Sequence, residues 1–393
     1  MSLSGKRVLL GVSGGIAIYK TLELLSRLNR VGADTTVVMT RGAAEFVTPL
    51  AFQTMSRRHV YTDLFSDEDG FIPHIDLTRE ADLFLIAPAT ANVIAKMAQG
   101  LADDLLSSTA LAAHCPVMVS PAMNVVMYQN PATQANLALL RERGIRVIEP
   151  ESGWLACAEM GEGRMPEAAE LFDVIEDFFT EKDLRGKRLL VTAGPTKERL
   201  DPVRFLTNDS SGKQGVAIAK RAKLRGADVC LVHGDVSVPL PKGIETRVVE
   251  STEDMLDALK QALPDADALI MAAAPADFKP VKRAEEKMKG LDDGRVRTFD
   301  VVDTPDILKS LSELVTDQIM IGFATETEHL MENAREKLTK KKLDYIVAND
   351  VTQQGAGFDV DTNIVTILGH EGERSYPKMS KEDVADRILD LLV

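Results

Sequence analysis

The apolar residues of this chain gather in short runs that end in glycine, proline or small polar residues. The runs ADLFLIAPAT (81–90) and HCPVMVSPAMN (114–124) are almost wholly apolar between their ends, as in strands buried on both faces of a parallel sheet. In the second half, DALIMAAAPADF, DQIMIGFATET and LDYIVANDV repeat this order of a strand and a polar loop. The segment around NIVTILG (363–369) predicts an added hairpin. The pattern predicts an α/β fold.

The chain contains the same opening twice. LSGKRVLLGVSGGIAIYK (3–20) and LRGKRLLVTAGPTKERLD (184–201) each place a basic pair before an apolar strand and a glycine-containing turn. Each predicts a following helix and then a second strand after a Gly-Ala-Asp turn. Such a repeat indicates two domains that each begin with a βαβ unit. We therefore predict two Rossmann-like three-layer α/β/α domains, residues 1–183 and 184–393, separated near 180–186 after a charged helical segment.

The net charge, the cysteines and the apolar runs of the chain limit the kinds of binding partner and compartment that we expect. The 393 residues carry a formal net charge of −14, which argues against non-specific nucleic-acid binding because that needs basic surfaces. The three cysteines, Cys115, Cys157 and Cys230, form neither a CxxC pair nor an even-numbered disulfide framework. No secretion signal precedes the first strand, and no apolar run reaches the length of a membrane helix. These features predict a cytoplasmic protein with no nucleic-acid or membrane partner.

Two glycine-containing loops are candidate anion sites. GVSGGIAIYK (11–20) joins a strand to a helix, where backbone amides and the helix dipole favour a phosphate. It departs from G-x-G-x-x-G and no acidic residue follows the second strand, so a mononucleotide phosphate is favoured over NAD. A turn without a ligand is the alternative. NDSSGKQG (208–215) lacks the first glycine and the Ser or Thr of a P-loop, although its polar residues can hold a phosphate or carboxylate.

Single polar residues are ambiguous by themselves. His74 lies between two predicted regular elements, where a loop histidine is more often a surface residue than a catalyst. Asn124 can cap a helix or bind a ligand. Cys157 can be a buried thiol or, in its glycine-rich segment, a reactive group. The pair Lys337 and Lys341 lies on one predicted helix face, which suits either solvent or a triphosphate.

Together these stretches resemble one bifunctional enzyme family over nearly the whole chain. GVSGGIAIYK, PHIDL, APATAN, SPAMN and ACAEMGEGRM follow in order in the first half, and VTAGPT, FLTNDSSGKQG, AAAPADF, EKMKG, GFATET and IVANDV in the second. This set resembles the bacterial fusion of a phosphopantothenoylcysteine decarboxylase with a phosphopantothenate–cysteine ligase of coenzyme A biosynthesis. The resemblance implies an FMN-dependent decarboxylase domain, residues 1–183, and a CTP-dependent ligase domain, residues 184–393.

For the first half, the resemblance implies which residues hold FMN and substrate. The implied FMN contacts are Gly14, Gly15, Ile16, Thr40, Thr90, Ala91, Asn92 and Ala122. His74 would assist oxidation of the substrate thiol, Asn124 would hold the substrate carboxylate, and Cys157 on a flap would donate a proton. Transient oxidation is required because a β-carbon bearing only a thiol cannot stabilise the carbanion left by loss of CO2. One departure is Ala158, where the family usually has glycine after the cysteine.

For the second half, the resemblance implies activation of 4′-phosphopantothenate by CTP as an acyl-cytidylate, and then attack by cysteine. The implied CTP contacts are Asp277, Lys287, Pro305, Asp306, Ile307, Leu308, Phe323, Lys337 and Lys341. Lys287 would stabilise charge on the α-phosphate, whereas Arg204 and Asn208 would bind the acyl-cytidylate. Pro275 and Phe278 stand where the family usually has Val and Tyr.

The resemblance also implies Mg2+ on the triphosphate, with no ligating residue identified, and a homo-oligomer. Decarboxylase trimers and ligase dimers would combine into a dodecamer. Two functions from other classes stay open from the residues alone. One is an NAD-dependent oxidoreductase with tandem Rossmann domains, which the missing fingerprint disfavours. The other is a non-catalytic flavin-binding regulatory subunit, which the presence of His74, Asn124 and Cys157 disfavours.

Overall fold

The computed structural model describes residues 3–65, 70–154, 160–288, 298–326, 330–350, 357 and 360–393. By its internal contacts the chain divides into two compact units, residues 1–179 and 180–393. None of the helices in these described ranges combines the length and apolarity that a membrane span requires.

The first unit contains a six-stranded parallel sheet with the strand order β3-β2-β1-β4-β5-β6. Its strands are β1 (Arg7–Val12), β2 (Asp34–Met39), β3 (Val60–Tyr61), β4 (Leu83–Ala89), β5 (Val117–Pro121) and β6 (Arg146–Val147). A separate antiparallel hairpin pairs β7 (Glu151–Trp154) with β8 (Met160–Arg164). All seven residues of β4 are buried, which confirms a strand covered on both faces.

Helices cover both faces of this sheet. They are α1 (Ile18–Arg30), α2 (Arg41–Ala44), α3 (Pro49–Ser56), α4 (Pro73–Glu80), α5 (Ala91–Gln99), α6 (Leu105–Leu111), α7 (Val125–Gln129), α8 (Pro131–Glu142) and α9 (Ala168–Phe179). Alternate residues of β1 belong to two cores: Val8 and Leu10 pack with α1, α3 and α9, whereas Leu9 packs with α5, α6 and α8. The unit is therefore a three-layer α/β/α domain, as predicted.

The second unit contains an eight-stranded sheet with the order β13-β12-β9-β14-β17-β18-β19-β20. The sheet strands are β9 (Arg188–Ala193), β12 (Asp228–His233), β13 (Glu245–Val248), β14 (Ala268–Met271), β17 (Ile319–Glu326), β18 (Tyr345–Asp350), β19 (Thr362–Gly369) and β20 (Gly372–Ser380). Its first six strands in spatial order are parallel, and the antiparallel β19 and β20 form the predicted hairpin.

Two small antiparallel pairs stand outside that sheet. They are β10 (Lys197–Arg199) with β11 (Phe205–Thr207), and β15 (Phe278–Pro280) with β16 (Val301–Asp303). The first pair separates β9 from its helix, so the second unit differs from the predicted direct passage from turn to helix. Each of these strands is three residues long, which is too short for a clear period of apolar positions.

The helices of the second unit also lie on both faces of its sheet. They are α10 (Lys213–Leu224), α11 (Thr252–Ala262), α12 (Ile307–Leu311), α13 (Leu330–Lys340) and α14 (Lys381–Leu389), with 3₁₀ turns at Leu263–Asp265 and Asp390–Leu392. Apolar residues of α10 and α14 share one core, and those of α11, α12 and α13 share the other. The second α/β/α domain is confirmed.

Candidate functional site

A cavity lies at the carboxyl ends of β1, β4 and β5, where the strand order of the first sheet reverses. In open α/β sheets this reversal point is the usual ligand crevice. The cavity has a volume of about 650 Å³ and an apolar wall interrupted by few polar groups. Its lining residues are Gly14, Gly15, Ile16, Ala17, Tyr19, Lys20, Thr90, Ala91, Ala122, Met123, Asn124, Met127, Gly163, Arg164 and Met165.

Close backbone packing shapes the glycine turn at one side of this cavity. A Cβ atom on Gly14 would lie 2.6 Å from the carbonyl carbon and oxygen of Gly42, whereas a Cβ on Gly15 would meet only Thr90 Cγ2 at 3.9 Å. The buried Ser13 hydroxyl donates to the Pro88 carbonyl at 2.7 Å and accepts from the Thr90 amide at 3.0 Å. These contacts fix the loop after β1 against the loop after β4.

Six of the eight residues predicted to contact FMN line the cavity. Those that line the cavity are Gly14, Gly15, Ile16, Thr90, Ala91 and Ala122. Thr40 is not among the lining residues; its hydroxyl caps α2, beside the Gly42 that approaches Gly14. Asn92 is exposed on α5 and does not line the cavity either.

Asn124 is a helix cap that also lies on the wall of the cavity. Its Oδ1 accepts a hydrogen bond from the Val126 amide at 2.8 Å and so caps α7. The same residue lines the cavity, directly after β5. The cap fixes the orientation of the side chain at the cavity wall.

His74 is the second residue of α4, so the expectation of a loop is wrong. Proline is favourable at the first position of a helix, and Pro73 begins α4 rather than interrupting the chain. His74 is half-buried, and its Nδ1 is buried without a hydrogen-bond partner in the described part of the chain. It is not among the residues that line the cavity of this chain.

Cys157 and Ala158 lie outside the described residues, in the connection between β7 and β8. The described base of that hairpin is held beside the cavity, because the Met123 amide donates to the Gly163 carbonyl at 3.1 Å. The other two cysteines are free thiols. Burial raises the pKa of Cys115, and it raises the pKa of Cys230 to about 11, so neither is a reactive thiolate near neutral pH.

Lys20 is a cavity residue that the sequence does not single out. The side chain is buried, and its Nζ donates to the Met165 carbonyl at 2.6 Å and pairs with Glu167 at 2.9 Å. Arg164 makes a second ion pair with Glu167. Although burial raises the pKa of Glu167, Lys20 and Arg164 outweigh it and hold that pKa below its ordinary value. This network ties α1 to the end of the β7–β8 hairpin.

In the second unit, two hydrogen bonds attach predicted site residues to distant parts of the chain. Asn208, directly after β11, donates from Nδ2 to the Pro275 carbonyl at 2.8 Å. The Asp277 carbonyl accepts from the Thr304 amide at 3.0 Å, which places Asp277 beside the segment of Pro305, Asp306, Ile307 and Leu308.

Lys341 reaches that same segment, because its Nζ lies 3.2 Å from Asp306 Oδ2. Asp306 also caps α12, accepting from the Lys309 amide. Lys341 directly follows α13, on which Lys337 lies, and Phe323 is half-buried on β17. Of the predicted nucleotide residues, Asp277 and Lys341 are therefore brought beside the segment 305–308.

Arg204 and Met288, the residue after Lys287, lie far apart in sequence but both donate hydrogen bonds to Asp201. This buried carboxylate accepts from the Arg204 amide at 2.8 Å and from the Met288 amide, next to Lys287, at 3.1 Å. Asp201 is not among the residues predicted from the sequence. The Asp-Pro-x-Arg stretch at 201–204 indicates an Asp turn, but nothing in it indicates the contact with Met288. In the described part of the chain no group of three acidic, histidine or cysteine residues could hold a metal ion.

Comparisons with known proteins agree with this division. Residues 1–180 match the family model described as Flavoprotein, and residues 184–393 match the model of the DNA/pantothenate metabolism flavoprotein C-terminal domain. The fold and the two matches define a flavoprotein-type α/β domain joined to a second α/β domain of pantothenate metabolism.

Full-length relatives narrow the family. The chain is 48% identical to the coenzyme A biosynthesis bifunctional protein CoaBC of Bacillus subtilis, covering 98% of this chain and 96% of that protein. It is 42% identical to CoaBC of Escherichia coli K12, covering 100% and 98%. A solved C-terminal domain of such a protein is 40% identical over 54% of this chain and 96% of that one, with a TM-score of 0.46. The chain belongs to the family of bifunctional coenzyme A biosynthesis proteins, which confirms the resemblance.

Proposed function

We propose that the chain joins 4′-phosphopantothenate to cysteine at the expense of CTP, and then decarboxylates 4′-phosphopantothenoylcysteine to 4′-phosphopantetheine. Residues 1–183 would form the decarboxylase domain and residues 184–393 the ligase domain. The observation that carries the proposal is the cavity of about 650 Å³ after β1, β4 and β5, in a chain similar over its full length to bifunctional coenzyme A biosynthesis proteins.

The residues of the cavity fit FMN. Its volume lies within the ~300–1,000 Å³ range of cofactor sites, and its wall is mainly apolar, as a flavin ring requires. Gly14 and Gly15 lead into α1, whose first turn can receive a phosphate. Gly14, Gly15, Ile16, Thr90, Ala91 and Ala122 would hold the cofactor, with Thr40 and Asn92 at its margin.

The chain's own residues would divide the decarboxylation among them. When bound, FMN supplies transient two-electron oxidation of the substrate thiol and returns those electrons after CO2 has left. Asn124, oriented by its cap on α7, would hold the substrate carboxylate. His74, which lies outside the lining of this chain's cavity, would assist oxidation of the substrate thiol. Cys157 would donate the final proton to the carbon that has lost CO2.

The second half would activate a carboxylate, which at neutral pH is a poor electrophile. A carboxylate oxygen of 4′-phosphopantothenate would attack the α-phosphorus of CTP, forming an acyl-cytidylate and releasing pyrophosphate. The cysteine amine would then displace CMP. Lys287 would stabilise the charge on the α-phosphate. Arg204 and Asn208 would hold the acyl-cytidylate. The nucleotide contacts would come from Asp277, Pro305, Asp306, Ile307, Leu308, Phe323, Lys337 and Lys341.

Mg2+ would enter with CTP. This cation keeps several waters and is commonly held through substrate phosphates rather than by an all-protein cage. Binding through the phosphates needs no cluster of three acidic, histidine or cysteine ligands, and the described part of the chain contains none. The metal would neutralise the triphosphate while Lys287 faces the reacting phosphorus.

Assembly into a homo-oligomer is part of the proposal. Ile16, Tyr19 and Met127 line the cavity and are exposed in the single chain. Exposed apolar groups around a cavity are typical of an interaction surface. Decarboxylase trimers and ligase dimers, combined in a dodecamer, would cover them. We propose that the enzyme acts in the cytoplasm, which contains its small-molecule substrates and keeps unpaired thiols reduced.

Two half-reactions test the function separately. Purified protein is expected to be yellow, to release FMN on denaturation, and to liberate CO2 from supplied 4′-phosphopantothenoylcysteine. With 4′-phosphopantothenate and CTP it is expected to form an acyl-cytidylate and pyrophosphate before cysteine is added. A colourless protein that binds NAD would instead support the oxidoreductase alternative, and pyrophosphate without any CO2 would contradict the decarboxylase assignment.

A further inference from the structure

The segment that carries Lys287 has no regular secondary structure of its own. Residues 281–288 lie between the short strand β15 and the end of the described range, without a helix or strand. Two hydrogen bonds attach this segment to the turn at 200–204. The Ala284 amide donates to the Leu200 carbonyl at 2.9 Å, and the Met288 amide donates to Asp201 Oδ2 at 3.1 Å.

Asp201 is the centre of this attachment. Its side chain is fully buried. Oδ1 accepts from the Val203 amide at 2.7 Å and the Arg204 amide at 2.8 Å, which closes the turn. Oδ2 receives the Met288 amide and, at 3.4 Å, Arg204 Nη1. The two oxygens therefore make different contacts: Oδ1 stabilises the turn at 200–204, and Oδ2 joins this turn to the segment 281–288.

The electrostatics of the contact favour an ionised carboxylate. Burial raises the pKa of Asp201, but the amides of Val203, Met288 and Arg204 and the charge of Arg204 lower it more. Hydrogen bonds to an ionised acceptor are stronger than those between neutral groups. A neutral amide at this position therefore cannot replace the carboxylate fully.

We propose that Asp201 is a positioning residue of the ligase site, holding the Lys287 segment against the turn that carries Arg204. The inference rests on the proposed function, in which Lys287 acts on the α-phosphate and Arg204 on the acyl-cytidylate. Asp201 touches neither substrate; it acts through the peptide between Lys287 and Met288. Small displacements of a group that stabilises a transition state cost rate out of proportion to the distance moved.

Asp201→Asn separates the contacts of the two side-chain oxygens. Its carbonyl oxygen can still accept from Val203 and Arg204, but its NH2 group replaces Oδ2 and presents a donor to the Met288 N–H. We expect kcat for CTP-dependent pyrophosphate release to fall about 10- to 100-fold. The KM for CTP is expected to change less, because the lost contribution belongs to the transition state.

Combination with Lys287→Gln distinguishes positioning from general support of the fold. If Asp201 acts through Lys287, Asp201→Asn costs little further activity in the Lys287→Gln protein. Effects that multiply would overturn the proposal, as would an Asp201→Asn enzyme with wild-type kcat. Wild-type protection of the β9 and β14 amides against hydrogen exchange is the check that the second unit of the variant is folded, because CO2 release reports only on the first unit.

A second pair of variants removes the donor instead of the acceptor. Met288→Pro eliminates the amide hydrogen, whereas Met288→Ala keeps it. Pyrophosphate release is expected to be at least about tenfold slower in Met288→Pro than in Met288→Ala; equal rates would contradict the proposal. This pair decides the question if Asp201→Asn does not fold.

Hydrogen exchange separates failure of this inference from failure of the proposed function. The Met288 amide is expected to be protected in the full-length wild-type chain and to exchange faster in Asp201→Asn. If the wild-type protein releases no pyrophosphate from CTP and 4′-phosphopantothenate, the proposed function fails, and the catalytic meaning of Asp201 fails with it. Unchanged protection in an active enzyme overturns the positioning role alone.

Discussion

The two halves share a fold but build their candidate sites differently. In the first half, backbone packing and buried hydroxyls shape one cavity, and most of the predicted contacts line it. In the second half, the predicted residues include four exposed charged side chains, Arg204, Asp277, Lys287 and Asp306, and Asp306 forms an ion pair with Lys341. The first arrangement suits a resident cofactor, and the second suits charged substrates that enter and leave.

This difference teaches where sensitivity to substitution is expected. A site shaped by backbone contacts is vulnerable to added volume, because a backbone atom cannot move aside as a flexible side chain can. A site assembled from charged side chains is vulnerable to loss of charge and of the residues that orient it. Substitutions in the two halves therefore test whether the sites differ in this way.

The largest expected effect is on Lys287. Replacement by Gln removes the positive charge proposed to face the α-phosphate, so pyrophosphate release is expected to fall about 100- to 1,000-fold. Lys282→Gln, on an exposed lysine of the same segment, is the matched control and is expected to be nearly wild type. Coupled assay of pyrophosphate measures both. Equal losses in the two variants would indicate a general charge effect instead of a specific role.

The glycine turn provides the corresponding test of the first half. In Gly14→Ala, the new methyl group would meet the Gly42 backbone at 2.6 Å, whereas in Gly15→Ala it meets only Thr90 Cγ2 at 3.9 Å. Overpacking costs about 1–3 kcal/mol, which weakens FMN binding by about 5- to 150-fold if the turn must be restored on binding. Flavin titration gives the affinity, and thermal unfolding of the apo-protein gives the stability. Equal stability of the two variants would refute the steric account.

The smallest expected effect concerns the acid stability of the second compact unit, residues 180–393, to which Asp183 belongs. A hydrogen bond from Arg225 lowers the pKa of Asp183 below its ordinary 3.8. A depressed carboxyl pKa stabilises the fold above pH 3.8, and this contribution is lost as the pH falls through the folded-state pKa. Asp183→Asn is expected to cost about 1–2 kcal/mol at pH 7, since Arg225 keeps Asp390 as a partner, and little at pH 2–3.

Thermal unfolding between pH 2 and pH 7 measures this dependence, with flavin release marking the first half. Asp257→Asn is the control, because that carboxylate is exposed and its nearest cation, Lys260, lies 4.0 Å away. A constant difference between Asp183→Asn and the wild type at every pH would show that the ion pair is not responsible.

Much of the fold follows from the sequence because long apolar runs leave few alternatives. The run at 83–89 predicts a buried strand, and the structure contains one. The β10–β11 pair could not be predicted, since three-residue strands carry no measurable period. The helix at Pro73–Glu80 was missed because a proline indicates a break in one context and a first helical turn in another.

Some residues of the candidate sites could be predicted from the sequence, and others could not. Residues that follow strand ends, such as Gly14, Thr90 and Asn124, could be grouped because topology alone brings them to one edge. Lys20 and Asp201 could not, since nothing in a sequence indicates that a charged residue is buried against a distant backbone group. Contacts of this kind depend on tertiary structure and become visible only there.

The central claim is that one chain forms 4′-phosphopantothenoylcysteine in its second half and decarboxylates the same compound in its first half. Incubation with 4′-phosphopantothenate, CTP and cysteine labelled in its carboxyl group tests this claim directly. The account predicts equal amounts of pyrophosphate and labelled CO2, and neither product in the absence of CTP. Labelled CO2 without CTP, or pyrophosphate without labelled CO2 from flavin-loaded protein, would contradict it.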